Sequence, residues 1–182
     1  MRYVLALALC CVCGLAAAQD LAGQPAPSPD LNKLAFMIGD WTGSVTVSSE
    51  GSDIQMACTV KVEWVSKNNF IRTTMSVALP DDVGKAESVS YVSYDADAQL
   101  YRAYVFQDTS PLAREESGTF DGTKLVLTGK AWAPAPGKPK QVFRTTCRQT
   151  ADGLSMLTEL KQGDSWTKVG EGTFKKAAAS GG

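Results

Sequence analysis

The sequence predicts an all-β protein: a single antiparallel, up-and-down barrel of ten strands, preceded by one short N-terminal helix. From Trp41 onward, apolar and polar residues alternate with a period of two, which is typical of strands that bury one face. The alternating stretches are short, and turn-forming glycine, asparagine, aspartate and proline residues separate them. No second helical pattern is long enough to cross a sheet, which favours an antiparallel meander.

Residues 1–18 have the pattern of a secretory signal peptide. Arg2 precedes an apolar run that ends at Leu15, and small residues follow as far as Ala18. The run is shorter than the roughly 20 residues of a spanning helix, so we expect cleavage rather than a stable membrane anchor. The mature protein is then exported, to the periplasm or as a secreted protein. Its net charge of −2 gives no electrostatic basis for binding nucleic acid.

The N-terminal helix is predicted to begin at Pro29, after a disordered leader over residues 19–28 that is rich in proline. Ser28 is suited to cap the helix, and Asp30 is favourable at its positive end. Gly39 is predicted to end it, after about two to three turns. The apolar residues at helical spacing are Leu31, Leu34, Ala35 and Ile38.

Ten stretches carry the strand pattern, and the clearest is 54–64, where an apolar residue occupies every even position from Ile54 to Trp64. The predicted strands are 41–48, 54–64, 70–79, 87–94, 100–107, 113–120, 124–132, 141–149, 154–161 and 166–175. Closing them into a barrel leaves no unpaired edge strand, and a β-sandwich is the structural alternative. We expect one β-barrel domain, residues 29–176, followed by a flexible tail, residues 177–182.

Cys58 and Cys147 are the cysteines that remain after removal of residues 1–18. Two cysteines in an exported protein suggest one disulfide, and we expect these two to be bonded. The alternative is a pair of separate buried thiols, because a sequence does not show whether two Cα atoms lie within bonding range.

The chain contains no histidine. This excludes catalysis by Ser-His-Asp or Cys-His groups, zinc sites with two histidines and haem held by histidine. Carboxylates such as Asp108, Glu115 and Glu116 leave a hydrolase or isomerase as a further hypothesis, although no paired spacing singles them out. We expect no catalysis, no metal site and no cofactor.

The barrel interior is the predicted binding site, because ten strands enclose more space than the eight of small barrels. The expected partner is a small apolar or amphipathic molecule. The alternative is a packed barrel, which would be a structural or protein-interaction module acting through its loops or outer surface. The residues predicted to bind the ligand are Trp64, Met75, Tyr91, Arg102, Tyr104, Phe106 and Met156.

The inward face of the 100–107 strand is left open by the sequence. Either Arg102, Tyr104 and Phe106 face inward or their odd-numbered neighbours do. An inward Arg102 needs a carboxylate partner or an anionic group of the ligand. Arg144 and Glu116 would likewise be costly to bury without a partner if they face inward. On the outer face, the arginines would pair with carboxylates of neighbouring strands.

The short helix running into Gly39-Asp40-Trp41 resembles the G-x-W start of lipocalin-like barrels, whose tryptophan packs at one end. Together with Ser93-Tyr94-Asp95, the segment 117–122 and Gly172-Thr173-Phe174-Lys175, it resembles the DUF1579 family of unknown function. The resemblance covers about residues 31–175. It implies a calycin-like barrel and a structural role for Gly39 and Trp41, but no catalytic residues. Related nitrobindin-like barrels hold haem through histidine, which this chain lacks.

Overall fold

The computed structural model describes residues 28–49 and 52–178. The predicted signal peptide, residues 1–18, lies outside the described residues, as do the predicted leader up to residue 27 and residues 179–182 of the predicted tail. Among the described helices, none has both the length and the apolar character required to cross a membrane.

Ten antiparallel strands form a closed barrel in which each strand pairs with its neighbour in sequence and the last pairs with the first. The strands are β1 (Gly39–Ser49), β2 (Ser52–Val65), β3 (Phe70–Ala78), β4 (Lys85–Asp95), β5 (Leu100–Gln107), β6 (Ser110–Phe120), β7 (Lys124–Gly129), β8 (Phe143–Thr150), β9 (Gly153–Gln162) and β10 (Ser165–Lys176). The predicted fold class is confirmed, and each predicted strand corresponds to an observed one.

The largest difference from the predicted strands lies between β7 and β8. Strand β7 was predicted to reach Trp132 but ends at Gly129, because the chain leaves the sheet there for a proline-containing loop. Trp132 and Gln141 still pair across the base of this loop through two backbone hydrogen bonds of 2.9 and 2.7 Å. The loop, residues 130–142, therefore has an anchored base.

The N-terminal helix begins where predicted but is shorter. Helix α1 spans Pro29–Asn32, and the Ser28 hydroxyl accepts a hydrogen bond of 3.2 Å from the Asp30 amide. A 3₁₀ turn, Ala35–Met37, then leads the chain into β1. The helical segment is thus broken into two single turns, and this lets the chain bend toward the barrel.

These two turns cover one end of the barrel, called here the cap end. Leu31 and Leu34 are fully buried, and the Tyr101 hydroxyl at the start of β5 donates a 2.7 Å hydrogen bond to the Asp30 carbonyl. Phe36 stacks on Phe120 at the end of β6, with ring centroids 5.7 Å apart. The opposite end, called the loop end, carries the 130–142 loop.

The strand register identifies the inward face, since residues directly opposite each other on paired strands share a face. One such row runs around the wall through Ile71, Val92, Ala103, Glu116 and Gly129. All five are buried. This row therefore lies on the inward face of the barrel and includes the carboxylate of Glu116.

Gly43 lies where β1 and β10 close the barrel, and we predict that Gly43→Ala destabilises the protein. A Cβ at Gly43 would lie 1.9 Å from the Thr173 backbone oxygen, so the strands must separate. The free energy of unfolding should fall by at least about 2 kcal/mol, as in other overpacked sites, which denaturant titration measures.

Gly170→Ala is the matched control, because a Cβ there meets only ordinary contacts, the nearest being the Thr46 oxygen at 3.6 Å. Its free energy of unfolding should stay close to that of the parent. Equal losses in the two variants would contradict a tight closure at Gly43.

Candidate functional site

The register settles which residues of β5 face inward. Tyr101 and Ala103 are buried at 3% and 1% exposure, whereas Tyr104 and Phe106 are exposed at 44% and 48%. Arg102 lies between the two buried residues and therefore faces outward. The predicted place of Arg102, Tyr104 and Phe106 in the cavity wall is wrong, because the odd-numbered residues occupy the inward face.

Tyr91 is also on the outer surface, since it lies opposite Tyr104 in the β4–β5 register. Its ring meets that of Phe106 edge-on, with centroids 6.4 Å apart.

The Arg102 guanidinium donates a 2.8 Å hydrogen bond to the Asp95 carboxylate. This ion pair on the outer face provides the carboxylate partner that the arginine needs.

Arg144 is outside the barrel as well. It donates to both carboxylate oxygens of Glu159, at 2.7 and 2.8 Å, and lies 4.3 Å from the centre of the Trp166 ring. An open groove of about 560 Å³ crosses this outer face. The charge of Arg144 within it is already balanced by Glu159.

Of the other predicted ligand-binding residues, Met75 and Met156 line the interior. Trp64 shares a face with Ile71, its partner in the register, and packs against the core. Trp64 borders neither of the two cavities inside the barrel. The structure therefore brings together two of the seven predicted residues in a cavity wall.

The interior holds a cavity of about 340 Å³, called here the main cavity. Its apolar wall includes Val92, Ala103, Val105, Leu125 and Leu127. Its polar wall is formed by Thr73, Ser88, Ser90, Gln107, Arg114, Glu116, Thr145 and Thr158. A second cavity of about 50 Å³, the small cavity, shares several wall residues with it, among them Met37 from the cap end. The interior is thus not completely filled by side chains.

One ion pair lies in the wall of the main cavity. The Arg114 Nε donates a 2.6 Å hydrogen bond to Glu116 Oε1, and the two side chains are only 12% and 2% exposed. Thr145 on β8 also lowers the pKa of this carboxylate. Burial raises the pKa of Glu116, an effect that Arg114 and Thr145 oppose only in part.

Two aromatic rings hold the Arg114 guanidinium in place. Its central carbon lies 5.0 Å from the centre of the Phe143 ring and 5.8 Å from that of Trp132, within the range of cation–π attraction. The Trp132 indole nitrogen donates a 3.1 Å hydrogen bond to the Leu112 carbonyl. The anchored 130–142 loop therefore fixes the arginine at the cavity wall.

Glu116 was considered from the sequence, whereas Arg114 and Phe143 were not singled out. The arginine and the glutamate are two positions apart on a strand, a spacing that places both on one face. That spacing was the available signal. The contribution of the 130–142 loop had no comparable signal, because it depends on how the loop folds back.

The carboxylates considered for catalysis do not meet. Glu115 faces away from Glu116 and lies 2.7 Å from the Lys130 ammonium. Asp108 accepts a 2.8 Å hydrogen bond from the Glu87 amide in a turn. Within residues 28–49 and 52–178, no three histidine, cysteine, aspartate or glutamate side chains are grouped to hold a metal.

Cys58 and Cys147 are free thiols, so the predicted disulfide is wrong. They lie on β2 and β8, which are four strands apart around the barrel, and neighbouring strands are separated by about 4.8 Å. A disulfide needs Cα atoms within about 7 Å. Burial raises the pKa of Cys58 to about 11 and that of Cys147 to about 12, and the negative charge of Glu116 adds to the second shift.

Gly39 and Trp41 lie at the cap end. Gly39 has a φ of +140°, a conformation that side-chain-bearing residues rarely adopt. The buried Trp41 donates a 2.8 Å hydrogen bond from its indole nitrogen to the Met37 carbonyl. These contacts join the 3₁₀ turn to the first strand.

We predict that Arg114→Met destabilises the barrel in a pH-dependent manner. Removing the arginine leaves a buried carboxylate, which costs about 3–5 kcal/mol in comparable pairs. The pKa of Glu116, already raised, then rises further above its unfolded value, so stability is lost as pH increases through that pKa. The loss relative to the parent should shrink between about pH 8 and about pH 5, measured by denaturant titration.

The double variant Arg114→Met with Glu116→Gln is the control, since it has no carboxylate at this position. Its stability difference from Arg114→Met should be largest at high pH. A penalty for Arg114→Met that stays constant across this range would mean that Glu116 does not carry the cost.

With the geometry established, comparisons place the chain among known proteins. Residues 26–176 match the family model of DUF1579, a family of unknown function, and the chain belongs to this family. A crystal structure of Rv2717c from M. tuberculosis matches with a TM-score of 0.68 and 15% sequence identity, covering 84% of this chain and 99% of that one. At this identity the likeness shows the fold. No curated protein matches the chain.

Proposed function

We propose that this DUF1579 barrel binds a small amphipathic molecule in its main cavity and does not transform it. The observation that carries the proposal is a cavity of about 340 Å³ with a mostly uncharged wall and one buried ion pair. Ligand sites in proteins typically have volumes of roughly 300–1,000 Å³ and a few placed polar groups on an apolar wall. Export of the protein, inferred from residues 1–18, is part of the proposal.

The distribution of polar groups supports an amphipathic ligand rather than a purely apolar one. Met37, Leu125 and Leu127 provide apolar contacts near the cap end. Ser88 and Gln107 lie on the parts of β4 and β5 that approach the loop end. An apolar body would extend toward the cap end, and its polar group would face the loop end.

Arg114 is the residue best suited to hold that polar group. Its Nε is engaged with Glu116, while its terminal nitrogens carry four more N–H groups. Arginine binds carboxylates through paired hydrogen bonds, so a carboxylate is the favoured end group. Glu115 and Asp108 lie away from Glu116, so the described residues that line the cavity include no pair of carboxylates for acid–base catalysis.

The main cavity distinguishes this proposal from the alternative of a fully packed barrel. A packed interior would leave function to the outer surface, where Tyr104 and Phe106 are exposed. The two alternatives predict opposite effects of substitutions at Val105 and Tyr104 on ligand binding. Val105 lines the cavity, and Tyr104, one residue away on β5, faces outward.

We predict that Val105→Trp abolishes binding of decanoate and decanol, because the indole fills the main cavity. Isothermal titration calorimetry with each probe measures this. Tyr104→Trp introduces the same side chain on the outer face and should leave both affinities unchanged. Circular dichroism and thermal unfolding verify that both variants are folded, since overpacking costs about 1–3 kcal/mol.

Arg114→Lys tests the end group, because lysine keeps the charge but loses the planar fork of arginine. It should weaken decanoate by roughly tenfold, about 1.4 kcal/mol, and decanol much less. The proposal fails if the parent protein binds neither probe, or if Tyr104→Trp weakens binding as much as Val105→Trp.

A further inference from the structure

Sulfur-bearing residues are concentrated around the interior cavities. Of the sulfur-bearing side chains in the described residues, four border both the main and the small cavity: Met37, Met75, Cys147 and Met156. The other two, Met56 and Cys58, border neither. Neither cysteine forms a disulfide. The four therefore share one location, and apolar contact with the proposed ligand does not require sulfur at all four positions.

The four side chains come from different sides of the barrel. Cys147 on β8 and Met156 on β9 are directly opposite each other in the register. Met75 belongs to β3, four strands away from β9, and so approaches from the far wall. Met37 enters from the 3₁₀ turn at the cap end. They surround the small cavity on several sides and do not form a stripe along one wall.

The rest of the small cavity is almost entirely apolar. Trp41, Val60, Val62, Leu154 and Phe174 complete most of its wall, and its volume is about 50 Å³. Hard divalent cations such as Mg²⁺ and Ca²⁺ require oxygen ligands. Thioether and thiolate ligands select soft ions, of which Cu(I) is the usual biological one.

We propose that the small cavity binds one soft monovalent metal ion, Cu(I) or its analogue Ag(I), through the Cys147 thiolate and the thioethers of Met37, Met75 and Met156. A bond forms between the metal and Sγ, the S–H bond breaks, and the proton leaves to solvent with no change in oxidation state. The complex of one thiolate with one monovalent cation is neutral.

Neutrality matters here because unbalanced charge is costly in an apolar interior. A cysteine thiol is neutral, and its thiolate carries one negative charge. Exchange of its proton for a monovalent cation leaves the interior charge unchanged. A divalent cation with the same four ligands would leave one positive charge uncompensated.

The test uses Ag(I) as a probe that does not change oxidation state. The full chain carries Cys10→Ser, Cys11→Ser and Cys13→Ser, so that the thiols in residues 1–18 do not compete. Native mass spectrometry should find one Ag(I) per chain, and titration in weak buffer should release one proton. Cys147→Ser should weaken binding by more than about tenfold, and Met75→Leu and Met156→Leu should each weaken it measurably.

Cys58→Ser and Met56→Leu are the matched controls, since these sulfur atoms do not border the cavities. Both should keep the parent affinity. Methionine-to-leucine changes conserve volume and cost little stability, so they remain informative even if Cys147→Ser does not fold. The metal site is overturned if the parent protein does not bind Ag(I), or if Cys58→Ser and Cys147→Ser weaken Ag(I) binding equally. Neither outcome bears on decanoate binding.

Discussion

Pairing of β1 with β10 is the contact on which the rest of the structure depends. It turns a meander of hairpins into a closed barrel, so that neither terminal strand is left with an unpaired edge. Closure also fixes two separate environments, because every strand then has one face toward the interior and one toward solvent. Gly43 is part of this contact, where the Thr173 oxygen leaves no room for a Cβ. The closed wall determines where the capping turns pack, where the cavities lie and which face of the barrel each arginine occupies.

Within that wall, the Arg114–Glu116 pair is the least expected feature of the interior. Desolvation offsets most of the attraction between two buried charges, so such a pair contributes little to net stability. The protein nevertheless supports it with Thr145, Phe143 and Trp132. Arg102 and Arg144, by contrast, pair with carboxylates on the outer face. This supported ion pair borders the main cavity, and the proposed function therefore assigns it to recognition of a ligand.

The sequence predicted the strands well because alternation with a period of two is a local property that every hairpin preserves. The bounds of β5 were predicted correctly, yet its inward face was not, since both faces of Leu100–Gln107 carry apolar residues. A choice between faces reverses the role of every side chain, which is why Arg102, Tyr104 and Phe106 were assigned to the cavity. Tyr91 on β4 was assigned to the wrong face of its own strand, since it lies opposite the outward Tyr104. The disulfide failed for another reason: the separation of Cys58 and Cys147 depends on the strand order around the barrel. The arginine at the cavity wall depends on the 130–142 loop, whose path no local pattern specifies.

The central claim is that a small amphipathic molecule occupies the interior, and methyl NMR of the methionines tests it most directly. Met37, Met75 and Met156 border the main cavity, whereas Met56 does not, so one spectrum contains both the probes and their control. On addition of decanoate, we expect shifts of the Met37, Met75 and Met156 methyl signals and an unchanged Met56 signal. Decanoate that binds without shifting the three cavity methionines would contradict binding in the interior and place the ligand outside the barrel.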